Sequence, residues 1–277
     1  MNYTLSYTSN AGSVTFGFDS GIIISRFDTF GGVDTDFETA QNASGYGDKV
    51  ESMRVRPVNI AVSGSIIGDS AEKRNALYRA FVPMQAGKLL FNGQWYMDVY
   101  VKKSPNIERY DRNPAFSMML YAPVPYWRNV GGTASRICGV DPLFSFPVTW
   151  GSPIRFSEAF GGRVNVPNDG DAPCPWEMTM TARSEITNPT VTKVATGEFV
   201  RVNTTLQAGQ QLILSTIGDE MNAVVAHPDG TEVNLFDRID IDSTRFALTQ
   251  GDNVLEVTPN SNDLSAVILY YKMLAGV

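Results

Sequence analysis

The strongest hydrophobic pattern lies in the first half of the chain. Apolar and small polar residues alternate over Val58–Ile66, which is the period of a strand with one buried face. Leu77 and Phe81 then lie four residues apart, and they predict a short helix that ends before Pro83, because proline cannot continue a helix. An Asn-Gly pair at positions 92 and 93 separates two further apolar runs and favours a hairpin. The stretch therefore predicts a strand, a helix and a hairpin in succession.

Short alternating runs account for most of the remaining chain. Before residue 28 they predict a hairpin followed by a third strand. Beyond residue 136 the runs are short, are separated by Gly, Pro and Asn, and show no helical period, which indicates a β-sandwich of the jelly-roll kind. The strands predicted in this second half lie at residues 144–146, 154–156, 163–166, 176–180, 199–202, 211–215, 223–226, 239–241 and 254–257.

Residues 28–50 break this pattern. The segment is rich in Gly, Asp, Ser and Asn and shows no clear period, so the sequence predicts a long irregular loop. Loops of this length are uncommon in a compact domain and usually indicate a function or an interface. The alternative is a plain mobile surface loop.

A small, polar stretch at residues 129–135, Asn-Val-Gly-Gly-Thr-Ala-Ser, is the clearest linker in the chain. It predicts two domains, residues 1–130 and residues 131–277. A length of 277 residues is long for one domain and sufficient for two.

Composition excludes several classes of function. The formal net charge is −7 and the pI is about 4.8, so a protein that binds nucleic acid through phosphate neutralisation is not expected. Residues 1–14 lack the charged start and apolar core of a signal peptide, and no apolar run is long enough to span a membrane. These features predict a soluble protein that is synthesised in the cytoplasm without membrane insertion.

The residues that commonly carry chemistry are sparse. His227 is the only histidine and lies in a predicted hairpin edge, Ala-His-Pro-Asp-Gly, so neither a catalytic triad nor a zinc site is expected. Cys138 and Cys174 are predicted to be buried free thiols, with a disulfide as the alternative. Three acids at positions 237, 240 and 242 could hold calcium, but alternation with isoleucines indicates the polar face of a strand. We therefore expect no enzyme, no cofactor and no metal.

An ordered set of motifs in the first half resembles the distal tail proteins of long-tailed bacteriophages. The set comprises Arg56-Pro57, Gly64-Ser65-Ile66, an Arg74…Leu77-Tyr78-Arg79-Ala80-Phe81 helix, Gly87-Lys88-Leu89, Asn92-Gly93 and Pro123-Val124-Pro125-Tyr126-Trp127. The second half carries a looser set: Asn168-Asp-Gly-Asp171, Asn188-Pro189 and Leu248-Thr-Gln-Gly-Asp-Asn253. None of these pieces is specific alone. The two sets together cover most of the chain outside residues 1–50 and 130–160.

The resemblance implies a mainly β fold. Its N-terminal part would be a β-barrel or sandwich-like domain with one short α-helix, and its C-terminal part a galectin-like, jelly-roll β-sandwich. It implies a structural virion protein of the tail tip or baseplate, forming a homohexameric ring that connects the tail tube to the adsorption apparatus. The partners would be the tail tube protein, the tape measure protein and a tail-associated hub or fibre protein.

The resemblance also gives the long loop a candidate role. In the family this segment belongs to the ring-forming domain, so we expect it to lie against a neighbouring subunit. The candidate interface residues are Gly31, Gly32, Asp34, Asp36, Gly45, Gly47 and Asp48.

A carbohydrate-binding adhesion module that acts at the host surface is the alternative function. Such modules bind saccharides through exposed aromatic side chains, for which Trp150, Trp176 and Phe199 are candidates. Aromatic residues in strands are more often part of a core, and a sandwich fold by itself does not establish sugar binding.

Overall fold

The computed structural model describes residues 4–28, 30–42, 45–68, 71–108, 112–142, 157–218, 220–259 and 263–277. The chain divides into two compact units. The first comprises residues 1–131 together with Met273–Val277, and the second is Gly132–Lys272. Among the described residues, no helix has the length and hydropathy that a membrane crossing requires.

The described part of the chain contains strands, one α-helix and one short 3-10 helix. Those before residue 131 are β1 Leu5–Ser9, β2 Gly12–Phe16, β3 Ile22–Phe27, β4 Thr35–Gln41, β5 Asp48–Val55, β6 Val58–Ile66, α1 Ala71–Ala80, β7 Ala86–Phe91, β8 Trp95–Ile107, β9 Ala115–Ala122 and β10 Trp127–Asn129. Those after it are β11 Thr133–Pro142, β12 Ser157–Gly161, β13 Arg163–Asn165, β14 Trp176–Ala182, β15 Ile186–Thr187, β16 Thr190–Lys193, β17 Phe199–Arg201, β18 Thr205–Leu206, β19 Gln211–Ser215, β20 Asn222–Ala226, β21 Glu232–Asn234, the 3-10 helix Phe236–Arg238, β22 Val254–Thr258, β23 Leu264–Tyr270 and β24 Met273–Leu274.

The first unit is built on one strongly curled antiparallel sheet in the order β2-β1-β7-β8-β9-β6-β3. A bridge between Gly17 and Ile22 joins the last strand to the first, so the sheet approaches a closed barrel. Strand β6 has the predicted alternation, because every second residue from Ile60 to Ile66 is buried. The mainly β fold predicted from the sequence is confirmed.

Helix α1 covers part of this core. Leu77 is fully buried, as is Phe81 directly after the helix, which confirms the predicted apolar face. The ring of Phe81 stacks on that of Tyr7 in β1, with centroids 4.1 Å apart. The helix ends at Ala80, and Met84, four residues later, has a φ of 65°.

The last residues of the chain belong to the first unit, which corrects the predicted extent of the second domain to residue 277. In the short strand β24, Leu274 pairs with Trp127 of β10. The N–H of Val277 donates to the carbonyl of Phe30 at 2.9 Å, and the side chains of Leu274 and Val277 pack on the first core. A linker signal marks where the chain leaves a domain but does not show whether it returns, since the return depends on strand pairing.

Deleting Met273–Val277 should destabilise the first unit selectively. The deletion exposes the edge of β10 and removes apolar contacts from Leu274 and Val277, so we expect a loss of about 2–4 kcal/mol in the unfolding free energy of that unit. Urea unfolding followed by fluorescence measures it. The transition of the second unit is the internal control, and unchanged transitions for both units would contradict the assignment.

The second unit contains a seven-stranded sheet, β12-β11-β23-β14-β19-β20-β21, and a four-stranded sheet, β13-β22-β16-β17. Its central strand β14 has alternate residues from Trp176 to Ala182 fully or almost fully buried. The Trp176 indole N–H donates to the Phe246 carbonyl at 3.0 Å, which satisfies the buried donor. This all-β unit agrees with the predicted sandwich.

Two predictions about local structure are wrong. Residues 28–50 are not an irregular loop, because β4 and β5 pair over seven register positions from Thr35↔Val55 to Gln41↔Asp48. Residues 239–241 do not form a strand: Ile239 makes one isolated bridge to Val202, and Ile241 lies in a turn. The strand predicted at 144–146, and all of that at 154–156, lie outside the described residues.

Candidate assembly interface

The β4–β5 hairpin is the most exposed element of the first unit. It forms a two-stranded sheet of its own, and among the described residues no other strand pairs with it. Every residue of β5 is exposed, and no residue of β4 is buried. An isolated two-stranded hairpin is at best marginally stable in water, so this element has the composition and exposure of a contact surface.

One face of the hairpin is apolar. Residues directly opposite in an antiparallel pair project to the same face, and the register places Phe37 opposite Met53 and Thr35 opposite Val55. A bulge follows, after which Thr39 pairs with Val50. The side chains of Phe37 and Met53 are 58% and 68% exposed. We call the surface formed by these six residues the apolar hairpin face.

The opposite face is charged. Nε of Arg56 donates to Oδ1 of Asp36 at 2.8 Å, and Nη2 of Arg54 lies 3.3 Å from Oδ2 of the same carboxylate. Ser52 donates to Glu38 at 2.7 Å. The hydrogen bond from Arg56 is the main reason that the pKa of Asp36 lies below its usual value. Exposed pairs of this kind add little stability, and their effect here is to orient polar groups away from the apolar hairpin face.

The seven residues predicted as an interface lie at the two ends of the hairpin and along β4. At the root, Gly31 forms a bridge to Gly276 and the N–H of Gly32 donates to the Ala275 carbonyl. A Cβ on Gly31 would lie 2.8 Å from the Gly276 Cα, so this approach requires glycine. The carbonyl of Asp34 accepts a hydrogen bond from the Arg56 N–H at 2.8 Å. Asp36 lies on the charged face. The other three residues, Gly45, Gly47 and Asp48, lie at the tip.

The sequence prediction missed the residues of the apolar hairpin face. A signal was present, because Thr35, Phe37 and Thr39 alternate with Asp36 and Glu38. The two threonines obscured this alternation, because threonine counts as a polar residue although it is typical of strands.

Three exposed apolar residues of the second unit lie along one segment. Ile241 is 97% exposed, and Val233 and Phe236 are also exposed. Ile241 occupies a turn in which the Ser243 N–H donates to the Asp240 carbonyl, while the Asp240 N–H donates to the Arg201 carbonyl at 2.9 Å. The turn is therefore well anchored, and the exposure of Ile241 is a property of its backbone position.

The side chains considered for catalysis or metal binding make hydrogen-bond contacts with neighbouring residues of the second unit. Nδ1 of His227 lies 2.9 Å from Nε2 of Gln210. Asp240 accepts hydrogen bonds from the Asp242 N–H and from the Asn203 side chain. Within the described ranges, no group of three or more His, Cys, Asp or Glu residues is placed to hold a metal ion.

Both cysteines are buried free thiols. Burial raises the pKa of the Cys138 thiol and raises that of Cys174 to about 11. Reaction with thiol reagents or disulfides requires the thiolate, so neither side chain is expected to react at neutral pH in the folded protein.

The two aromatic candidates for saccharide binding that the structure describes form no exposed platform. Trp176 is fully buried, and Phe199 is half-buried with the Arg201 guanidinium 5.0 Å from its ring centroid. Trp150 lies outside the described residues.

Comparison with known proteins shows which proteins the chain resembles. The family model described as Siphovirus-type tail component, C-terminal domain, matches residues 169–273, which is most of the second unit. The crystal structure of SPP1 Dit, described as a paradigm of the hub adsorption apparatus in phages that infect Gram-positive bacteria, superposes with a TM-score of 0.69 at 9% identity, covering 97% of this chain and 98% of that one. Residues 169–273 are therefore similar to a siphovirus-type tail component domain, and the chain shares the fold of SPP1 Dit. The predicted resemblance is thereby confirmed.

Two further structures share this fold. A chain of the phage P2 baseplate in its activated conformation with Ca matches with a TM-score of 0.57 at 14% identity, and the same baseplate with Sr matches with a TM-score of 0.56 at 13% identity. The P2 match with Ca covers all of both chains. No curated protein sequence matches. These similarities support a structural component of a phage tail.

Proposed function

We propose that this protein is a distal tail protein that assembles into a homohexameric ring, which connects the tail tube to the adsorption apparatus of the tail tip. The observation that carries the proposal is the β4–β5 hairpin, whose apolar face is exposed in the single chain. Burying that face requires a second surface, and a second copy of the chain supplies it six times in a closed ring. The first unit provides the ring contacts.

The partners of the ring follow from its place in the tail. The tail tube protein and the tape measure protein would meet one side, and a hub or fibre protein the other. The function is structural and involves no catalysis, and the protein is synthesised in the host cytoplasm before assembly. Repetition of each weak contact around the ring gives the assembly its stability by avidity.

The mass of the purified protein tests this proposal. Light scattering coupled to size exclusion should give six times the 30.3 kDa of a single chain, and negative-stain micrographs should show rings. A mass of 30.3 kDa at all accessible concentrations would contradict it. A glycan array separates the carbohydrate-binding alternative, which requires specific saccharide binding by the isolated chain.

A further inference from the structure

The outer face of the first sheet, which points away from its core, carries a groove. Four adjacent strands, β8, β9, β6 and β3, contribute residues to it. The groove has a volume of about 400 Å³, which lies within the usual range of small-molecule sites. Two cationic side chains and three uncharged polar ones are among its lining residues: Arg26, Lys103, Ser63, Ser117 and Asn106. Its chemistry favours an anionic ligand that also offers hydrogen-bonding groups.

The strand register places four of these side chains in one row across the sheet. Arg26 of β3 lies opposite Ser63 of β6, which in turn lies opposite Ser117 of β9. Ser117 also lies opposite Asn106 of β8. Residues directly opposite each other in an antiparallel pair project to the same face, and the residues on either side of both serines are buried. These four residues, which we call the polar row, therefore share the outer face.

The two strands at the ends of the polar row both bulge beside it. The register shifts between Ile24 and Arg26 in β3, and it shifts on either side of Lys103 in β8. Bulges bend a strand, re-aim its side chains and are frequent next to functional sites. Lys103 lies opposite Met119, which is two residues from Ser117 along β9. The lysine thus lines the groove directly beside the polar row.

The Arg26 guanidinium retains donors for a ligand although it forms an ion pair. Its Nε donates to Oδ1 of Asp28 at 2.7 Å. A guanidinium group has five N–H donors, and the side chain of Arg26 is 73% exposed. A ligand anion therefore competes with one carboxylate at one end of the polar row and meets the exposed Lys103 amine near the other.

The size of the groove favours an ester over a free ion. From β3 to β8 the polar row crosses three strand spacings, which is roughly 14 Å at about 4.8 Å each. A single phosphate ion would leave much of this length and volume to solvent. A phosphate that carries a sugar or polyol would extend along the polar row and reach its hydroxyl and amide groups.

We propose that this groove binds a phosphate ester of a sugar or polyol. Lys103 and Arg26 bind the phosphate oxygens through charge-assisted hydrogen bonds. The hydroxyl groups of Ser63 and Ser117 and the amide of Asn106 both donate and accept hydrogen bonds, so they bind the hydroxyl groups of the ester. The site lies within one chain and does not require the proposed ring.

Calorimetric titration of the full-length protein at neutral pH tests the ligand class. The probes are glucose 1-phosphate, inorganic phosphate and glucose. Glucose 1-phosphate should bind about tenfold more tightly than either of the others, because it alone engages both the cationic and the uncharged part of the groove. Its affinity should fall as sodium chloride is added, since salt screens exposed charges.

Three variants test the assigned residues. Lys103→Ala should weaken binding of glucose 1-phosphate about tenfold, the loss expected for one charge-assisted hydrogen bond. Asp28→Asn removes the carboxylate that competes for Arg26 and should tighten binding. Lys88→Ala is the matched control: it makes the same change in net charge, but its amine lies 4.8 Å from the Tyr96 ring centroid, so binding should not change. Thermal unfolding shows whether each variant remains folded.

The outcomes are distinct from those that test the ring. Preference for the ester, weakened by Lys103→Ala and strengthened by Asp28→Asn, supports the site. Equal affinity for inorganic phosphate and glucose 1-phosphate overturns the ester assignment. No binding by the wild type, or an equal loss with Lys88→Ala, overturns the site itself. The mass from light scattering reports on the ring in every case and does not depend on these titrations.

Discussion

Replacing Thr35–Val55 by an Asn-Gly turn is expected to convert the proposed hexamer into a folded monomer. The exposed hairpin is removed, while the residues that close its root, Asp34 and Arg56, are retained within 2.8 Å of each other through their backbone hydrogen bond. An Asn-Gly turn closes such a pair of strands with little strain. Light scattering on the variant beside the wild type should show the mass falling sixfold.

Two sets of substitutions that keep the hairpin complete this experiment, the first as a second test and the second as a control. Phe37→Ser/Met53→Ser removes the centre of the apolar hairpin face but keeps the backbone pairing, and should also give monomers. Glu38→Gln on the charged face should remain hexameric. If the deletion variant is folded and still hexameric, the hairpin is not a ring contact and the interface lies elsewhere on the first unit.

Truncating Trp127 to alanine is expected to cost about 3–5 kcal/mol in the unfolding free energy of the first unit. Trp127 begins β10 and is fully buried, with its ring centroid 6.0 Å from that of Phe91. The alanine variant leaves a cavity under the strand that pairs with β24. Urea titration followed by circular dichroism measures the change, analysed as the transition of the first unit because a two-unit chain need not unfold in one step.

Two substitutions calibrate the effect of Trp127→Ala. Trp127→Phe keeps an aromatic ring in the site and should cost much less, because the buried indole N–H has no protein acceptor to lose. Met84→Ala, at an exposed position, should change stability by less than about 0.5 kcal/mol. An unchanged midpoint for Trp127→Ala would show that the residue does not hold β10 onto the core.

The β4–β5 hairpin shows why residues 28–50 were wrongly predicted to form an irregular loop. Its hydrophobic residues are few, and they alternate with charged residues on strands that are exposed on both faces. Hydrophobic periodicity arises from burial in a core, so a strand that is exposed in the single chain carries a weak signal. Composition marked residues 28–50 as unusual but could not distinguish a loop from a hairpin.

Ile241 shows the opposite error. Its alternation with Asp240 and Asp242 has the period of a strand, yet the backbone forms a turn and the isoleucine is almost fully exposed. Three residues are too few for a period to be decisive. The hydrogen bonds from Asp240 to Arg201 and from Thr244 to Phe199 decide the conformation, and both connect residues more than 35 positions apart.

The sequence by itself determined the local elements whose signals are short-range. These include the buried alternation of β6, the helix carrying Leu77 and Phe81, and the buried core strand that begins at Trp176. The family could also be inferred, because its motifs lie within strands and turns. Only the tertiary structure decided that residues 273–277 return to the first unit and that residues 35–55 form an exposed hairpin. These features depend on which strand edges find partners, and pairing between distant edges leaves no periodic trace in either segment.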